Sequence, residues 1–210
     1  MTVNAEFARK LFSGACEFVA GAAELAALPE FALPETAFVG RSNVGKSSLI
    51  NALTNRTSLA RVSHTPGRTR QINLFRLRDS LMLADLPGYG FARVSKAEAA
   101  QWNVLISGYL RERRNLRRVI LLIDSRGSLM ESDEQVIAFL DSAAVNYQFV
   151  LTKSDAVTPA ELQSVMNAAS QVTAKHPAAL PTVIASSAKT GAGMDAFVTH
   201  LLAARVSNAH

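Results

Sequence analysis

The eight residues Gly40-Arg-Ser-Asn-Val-Gly-Lys-Ser47 constrain this chain more than any other stretch, because they match GxxxxGK[ST] between an apolar run ending at Val39 and the helix-like Ser48-Leu-Ile-Asn-Ala-Leu53. A strand, a glycine-bearing loop and a helix in that order make a phosphate cradle. Gly40 and Gly45 let the backbone curl, while the amides of Arg41, Ser42, Asn43 and Val44 and the helix N-terminus are placed to donate to phosphate oxygens. Lys46 would neutralise the β- and γ-phosphates, and the Ser47 hydroxyl would ligate magnesium.

The rest of the chain alternates in the same way. Thr36–Val39, Gln71–Arg76, Leu81–Ala84, Val119–Ile123, Gln148–Leu151 and Pro181–Ala185 read as strands, with helical spacing between most of them. Capping boxes start helices at Ser95-Lys-Ala-Glu98, Ser132-Asp-Glu-Gln135 and Thr158-Pro-Ala-Glu161. Alternation of this kind requires crossover connections, so the expected class is α/β with a mainly parallel sheet and helices on both faces. Only the short Leu77-Arg-Asp-Ser80 turn separates Gln71–Arg76 from Leu81–Ala84, which predicts one antiparallel hairpin. Residues 1–34 read as a helical N-terminal extension and a proline-bounded linker, Pro29-Glu-Phe-Ala-Leu-Pro34, ahead of a single domain over 35–206.

Composition narrows the setting. The chain has 210 residues, of which 49% are apolar and 19% charged, enough to bury one core. Lys and Arg outnumber Asp and Glu by 22 to 17, a bias compatible with a polyanionic partner such as RNA and equally with a basic face that only aids solubility. Cys16 is the single cysteine, which excludes an internal disulfide and a cysteine-based zinc site. Met1-Thr-Val-Asn-Ala-Glu6 carries no basic n-region, and Phe18–Leu28 is too short to span a bilayer and contains Glu24, so a cytoplasmic chain is expected.

Three further motifs follow the phosphate cradle in order. Asp85-Leu86-Pro87-Gly88 matches DxxG after the run Leu81-Met-Leu-Ala84; Asp85 would hold a metal-bound water and the Gly88 amide would sense a γ-phosphate. Thr152-Lys153-Ser154-Asp155 resembles [NT]KxD, in which the carboxylate accepts from guanine N1–H and the 2-amino group, donors that adenine lacks. Lys153 would lay its stem over the base, while Thr152, shorter than the usual asparagine, leaves the tether to the phosphate loop in question. Ala185-Ser186-Ser187-Ala188-Lys189 resembles the SAK loop, whose backbone amide meets guanine O6.

Together these motifs resemble the translation-factor-related GTPases of the Era and TrmE type. They are more similar to the EngB (YihA/YsxC) GTPases of bacterial ribosome biogenesis, on Gly40–Ser47, Thr65-Pro-Gly-Arg-Thr-Arg70, Asp85-Leu-Pro-Gly-Tyr-Gly90 and Thr152–Asp155. The resemblance covers nearly the whole chain. It implies GTP and GDP as ligands, Mg2+ held by Ser47, Thr69 and Asp85, and catalysis resting on Lys46, Thr69 and Gly88. It places Gly67, Arg68, Thr69, Arg70 and Gln71 in a first switch, with Thr65 the rival to Thr69 as the magnesium-binding threonine. It further implies a monomer that serves large ribosomal subunit assembly through the subunit and its rRNA and is needed for normal cell division and septation, with neither DNA sequence recognition nor a membrane involved. The competing reading is a GTP-dependent RNA or ribosome docking module that hydrolysis only resets.

Tyr89 follows the DxxG glycine where Ras-like enzymes place a water-orienting glutamine, which implies slow turnover, on the order of 10⁻³ s⁻¹ or below. Asn43 resembles the asparagine that binds K+ in related GTPases; a hydrogen bond inside the loop is its other reading. Arg111-Glu-Arg-Arg-Asn-Leu-Arg-Arg118 is either an rRNA phosphate contact or solvated helix charge. His64, His176, His200 and His210 lack metal-ligand spacing and read as surface or loop residues, and Trp102 reads as core packing.

Overall fold

The central strands of this chain are apolar on both faces, and the computed structural model, which describes residues 5–57, 59–60, 71–90 and 96–206, shows why. Among the described residues one seven-stranded sheet runs β1 (Cys16–Ala22), β3 (Ile72–Leu77), β4 (Leu81–Asp85), β2 (Glu35–Gly40), β5 (Leu116–Asp124), β6 (Tyr147–Thr152), β7 (Ile184–Ala185) in spatial order. From β4 to β7 all pairings are parallel, while β3 pairs antiparallel with β4 through the expected hairpin and with β1 at the edge. Successive side chains enter opposite cores. Ala37 and Val39 of β2 and Val119, Leu121 and Ile123 of β5 join one cluster; Phe38, Ile120 and Leu122 join the other. The first core is closed by α3 (Lys96–Glu112), α4 (Glu131–Ser142) and α5 (Pro159–Thr173), the second by α1 (Ala5–Phe12), α2 (Lys46–Leu53) and α6 (Met194–Val206). The expected α/β class with helices on both faces is what the chain adopts.

The N-terminal segment departs from the sequence reading. The helix ends at Phe12, and Cys16–Ala22 is an edge strand in register with Ile72–Leu77, with a bulge between Phe18 and Ala20. Its exposed positions dilute the apolar signal, so the segment has neither a clear helical nor a clear strand period. Ala8, Leu11 and Phe12 are buried against the α6 side of the core. The bidentate Arg9–Asp195 pair spans the same contact but is largely exposed, so apolar burial does the holding.

Helix starts need two adjustments. Thr158 caps α5 as expected, its Oγ1 accepting from Glu161 N–H while the Glu161 carboxylate accepts from Thr158 N–H. For α4 the cap is Met130 rather than Ser132, which lies within the helix; Asp133 supplies the carboxylate, accepting from Met130 N–H at 2.9 Å. α3 begins at Lys96, and Ser95 lies outside the described residues. The last strand contracts to Ile184–Ala185, which pair with Val150 and Leu151 of β6.

Buried polar groups pin the far end of the sheet. Glu35, fully buried at the start of β2, accepts a bidentate pair from Arg113 and a hydrogen bond from the Tyr109 hydroxyl. Arg118 is buried and donates to Gln148 Oε1 and to the His200 carbonyl. Arg113 and Arg118 are therefore structural, and only Arg111, Arg114 and Arg117 of the basic run face solvent. No helix among the described residues is long and apolar enough to cross a membrane.

Candidate functional site

In an open parallel sheet the carboxyl ends of the strands gather loops where the connections diverge. Here the chain leaves β2 toward β3 and β4 on one side, then crosses from β4 to β5 on the other. Gly40–Ser47, Asp85–Gly88, Thr152–Asp155 and Ala185–Ala188 all lie at that edge, after β2, β4, β6 and β7. The four sequence motifs thus converge.

The phosphate loop turns into α2 through Gly45, whose φ of 103° is a left-handed conformation that suits glycine. Lys46 opens the helix, is almost buried, and forms an ion pair with the buried Asp85 carboxylate at the end of β4. Ser47 is the next helical residue. The Ser47 hydroxyl and the Asp85 carboxylate are hard-oxygen donors of the kind magnesium prefers. Among the described residues no cluster of three or more His, Cys, Asp or Glu could hold a metal ion.

The DxxG turn is stitched to the phosphate loop by backbone bonds: Ser42 N–H donates to Tyr89 O at 2.9 Å, and Tyr89 N–H donates to Gly40 O at 3.3 Å. Tyr89 does not face the site. Its hydroxyl donates to buried Asp133 at 2.7 Å, and burial together with that carboxylate pushes the phenol pKa far up, so the hydroxyl stays a donor. Trp102 is half-buried, packs edge-on against Tyr89, and donates its indole N–H to Pro87 O at 2.9 Å, which makes it a core residue with one polar duty.

Across the site the loop after β6 is tied to the phosphate loop. Thr152 Oγ1 donates to Val44 O at 2.6 Å, so the shorter residue keeps the tether that the sequence left in question. Lys153, at a left-handed φ of 56°, sends its ammonium to Asn43 O and to Asp124, stretching its stem along the loop. Asp124 is a residue the sequence reading missed. It closes β5 and is clamped by Arg126 and Lys153; burial alone would raise its pKa, but those donors hold it well below the usual carboxylate range. Ser187 donates to Asp155 at 2.6 Å, and that hydrogen bond lowers the pKa of the exposed Asp155 carboxylate. Ser186 is buried and donates to Leu151 O, while Ser154 N–H donates to Ser186 O, so the two loops form one unit.

Thr65, Gly67, Arg68, Thr69 and Arg70 lie outside the described residues, as do His64 and His210. Gln71 is exposed and donates to Asn73. His176 pairs with Asp141, and His200 sits half-buried on α6 rather than in a loop.

Comparison with known proteins agrees with this geometry. A family model described as 50S ribosome-binding GTPase matches residues 35–153. The chain is 52% identical over 203 residues to a probable GTP-binding protein EngB of Rhodospirillum rubrum, covering 94% of this chain and 88% of the relative. It is 51% identical over 189 residues to the EngB protein of Caulobacter vibrioides, covering 90% and 82%. In fold it is similar to a crystal structure of a probable GTP-binding protein EngB, with a TM-score of 0.65 at 24% identity over 81% of this chain and 97% of that one. It is also similar to Era in complex with MgGDPNP and nucleotides of 16S ribosomal RNA, with a TM-score of 0.64 at 23% identity over 83% and 57%. With its four nucleotide motifs gathered at one sheet edge and half its residues identical to these relatives over nearly full length, the chain belongs to the EngB family of P-loop GTPases, which bind and hydrolyse GTP.

Proposed function

We propose that this chain is a slow, magnesium-dependent GTPase switch in the cytoplasm that acts in assembly of the large ribosomal subunit and is thereby needed for normal cell division and septation. The observation that carries the nucleotide part is the double tether of the TKxD loop to the phosphate loop, Thr152 to Val44 and Lys153 to Asn43, which holds base recognition at a fixed distance from phosphate recognition. In this reading Gly40–Val44 amides and Lys46 hold the β- and γ-phosphates, Lys153 covers the base, Asp155 accepts from guanine, and Ala185–Ala188 close over O6. Ser47, Asp85 and Thr69 of the first switch, formed with Gly67, Arg68, Arg70 and Gln71, would hold the magnesium. When bound, the ion neutralises charge that develops on the phosphates. Lys46 then exchanges Asp85 for phosphate, and the Gly88 amide reads the γ-phosphate. The ribosomal part rests on the family model's description and the relatives' shared identity; a potassium ion beside Asn43 is the second cation of the proposal.

The docking-module alternative also has an observation behind it. Tyr89, in the place of a water-orienting glutamine, is turned into Asp133, so nothing at that position activates water and long-lived GTP-bound docking is favoured. Equilibrium titration of GDP, GTP and ATP separates the possibilities, followed by pelleting with purified 50S subunits. The expected result is guanine selectivity that falls by about a hundredfold or more in Asp155→Asn, and 50S pelleting that depends on the triphosphate. Equal ATP binding, or a mutation without effect, would refute the guanine assignment.

A further inference from the structure

Two side chains outside the nucleotide site grip the DxxG turn on either side of Gly88. Trp102 of α3 donates to Pro87 O at 2.9 Å, and the Tyr89 hydroxyl donates to Asp133 of α4 at 2.7 Å. The first contact has a geometric consequence. Pro87 C=O and Gly88 N–H belong to one planar peptide unit, so an indole that fixes the carbonyl also fixes the direction of the amide hydrogen. The second contact is firm at its far end, because Asp133 also accepts from Met130 N–H and so is built into the α4 cap. Between these grips Gly88 lies close to the phosphate loop; a Cβ there would stand 3.3 Å from Gly40 O and 3.4 Å from Ser42. Tyr89 and Trp102 also pack edge to face with ring centroids 5.8 Å apart, which couples the two grips.

We propose that Trp102 and Tyr89 are positioning residues for triphosphate recognition: through Pro87 and Asp133 they hold the Gly88 amide aimed for the γ-phosphate, so that α3 and α4 set the affinity for GTP relative to GDP. This rests on the reading of Gly88 as the γ-phosphate contact. Neither side chain touches nucleotide in this scheme. Neither supports GDP binding, whose phosphates lie at Gly40–Ser47 and whose base lies at Thr152–Asp155. Peptide rotation at Pro87–Gly88, which would turn the amide away, is opposed by loss of the indole hydrogen bond.

The test measures equilibrium affinities of fluorescent GDP and of a non-hydrolysable fluorescent GTP analogue, with magnesium at fixed salt, for wild type, Trp102→Phe, Tyr89→Phe and Gly88→Ala. Both aromatic variants keep a ring in the packed pair and delete a single donor. The expected result is a shift of the GTP-to-GDP affinity ratio against the triphosphate by about fivefold in each, with GDP affinity within about twofold of wild type, and a parallel fall in single-turnover hydrolysis. A role confined to packing would weaken both nucleotides together and leave the ratio unmoved, which overturns the proposal. If Gly88→Ala loses the ratio while both aromatic variants keep it, the proposal fails and the γ-phosphate reading stands. Gly88→Ala keeps the N–H but crowds it away from its place through the added Cβ, so if this variant also keeps the ratio, the placement of that amide does not set it, and the γ-phosphate reading and the proposal fail together.

Discussion

Thr152 carries a tether with a short side chain because β6 ends directly beneath the phosphate loop, close enough for Oγ1 to reach Val44 O. Thr152→Val keeps the shape but leaves that buried carbonyl without its donor; nucleotide affinity should fall roughly three- to tenfold, with GDP and GTP affected alike, as read by equilibrium titration. Ser187 gives a pH prediction. Its hydroxyl lowers the Asp155 pKa, so the charged carboxylate that the proposed guanine recognition calls for is present above that depressed value and is lost as pH falls through it. In Ser187→Ala the NMR titration midpoint of the Asp155 carboxyl should move upward, and an unmoved midpoint would deny Ser187 this role. The chemistry of both residues was legible as TKxD and a serine-rich loop. Their partners were not, since Thr152 reaches Val44 and Ser187 reaches Asp155 only once distant segments are brought together by the sheet.

Elements differ in how much of their signal is local. The α5 start was read correctly because Thr158, Pro159 and Glu161 satisfy one another within four residues. Thr158→Ala should cost about 1 kcal/mol, lowering the melting temperature by roughly 2–4 °C for a chain of this size, which calorimetry would detect. β1 had no such local signal, since its strand character comes from pairing with a partner fifty or more residues away. Phe12→Ala removes the largest buried side chain of the α1 contact and should cost about 3–5 kcal/mol, read as a lower denaturant midpoint. The α4 cap was placed two residues late, because a serine-led box in the sequence competed with an aspartate that reaches back to Met130.

At the scale of the whole molecule, the basic run 111–118 divides between interior and surface. Arg113 neutralises Glu35 inside the fold, so Arg113→Met, which leaves that carboxylate buried without its cation, should destabilise the chain by about 3–5 kcal/mol and depress its melting temperature by roughly 10 °C. Replacing exposed Arg111, Arg114 and Arg117 should leave the melting temperature nearly unchanged. Sequence alone determined the alternation of strands and helices, the hairpin, and the motifs at residues 40–47, 85–88 and 152–155 on which the nucleotide reading rests, because periodicity and backbone-specific motifs are local properties of a chain. The tertiary structure alone decided that an edge strand extends the sheet beyond β3, that Tyr89 turns into Asp133, that Asp124 clamps Lys153, and that two arginines lie inside. Each of those outcomes depends on which side chains are brought within about 3 Å of one another by pairing of distant strands, a distance no local pattern encodes.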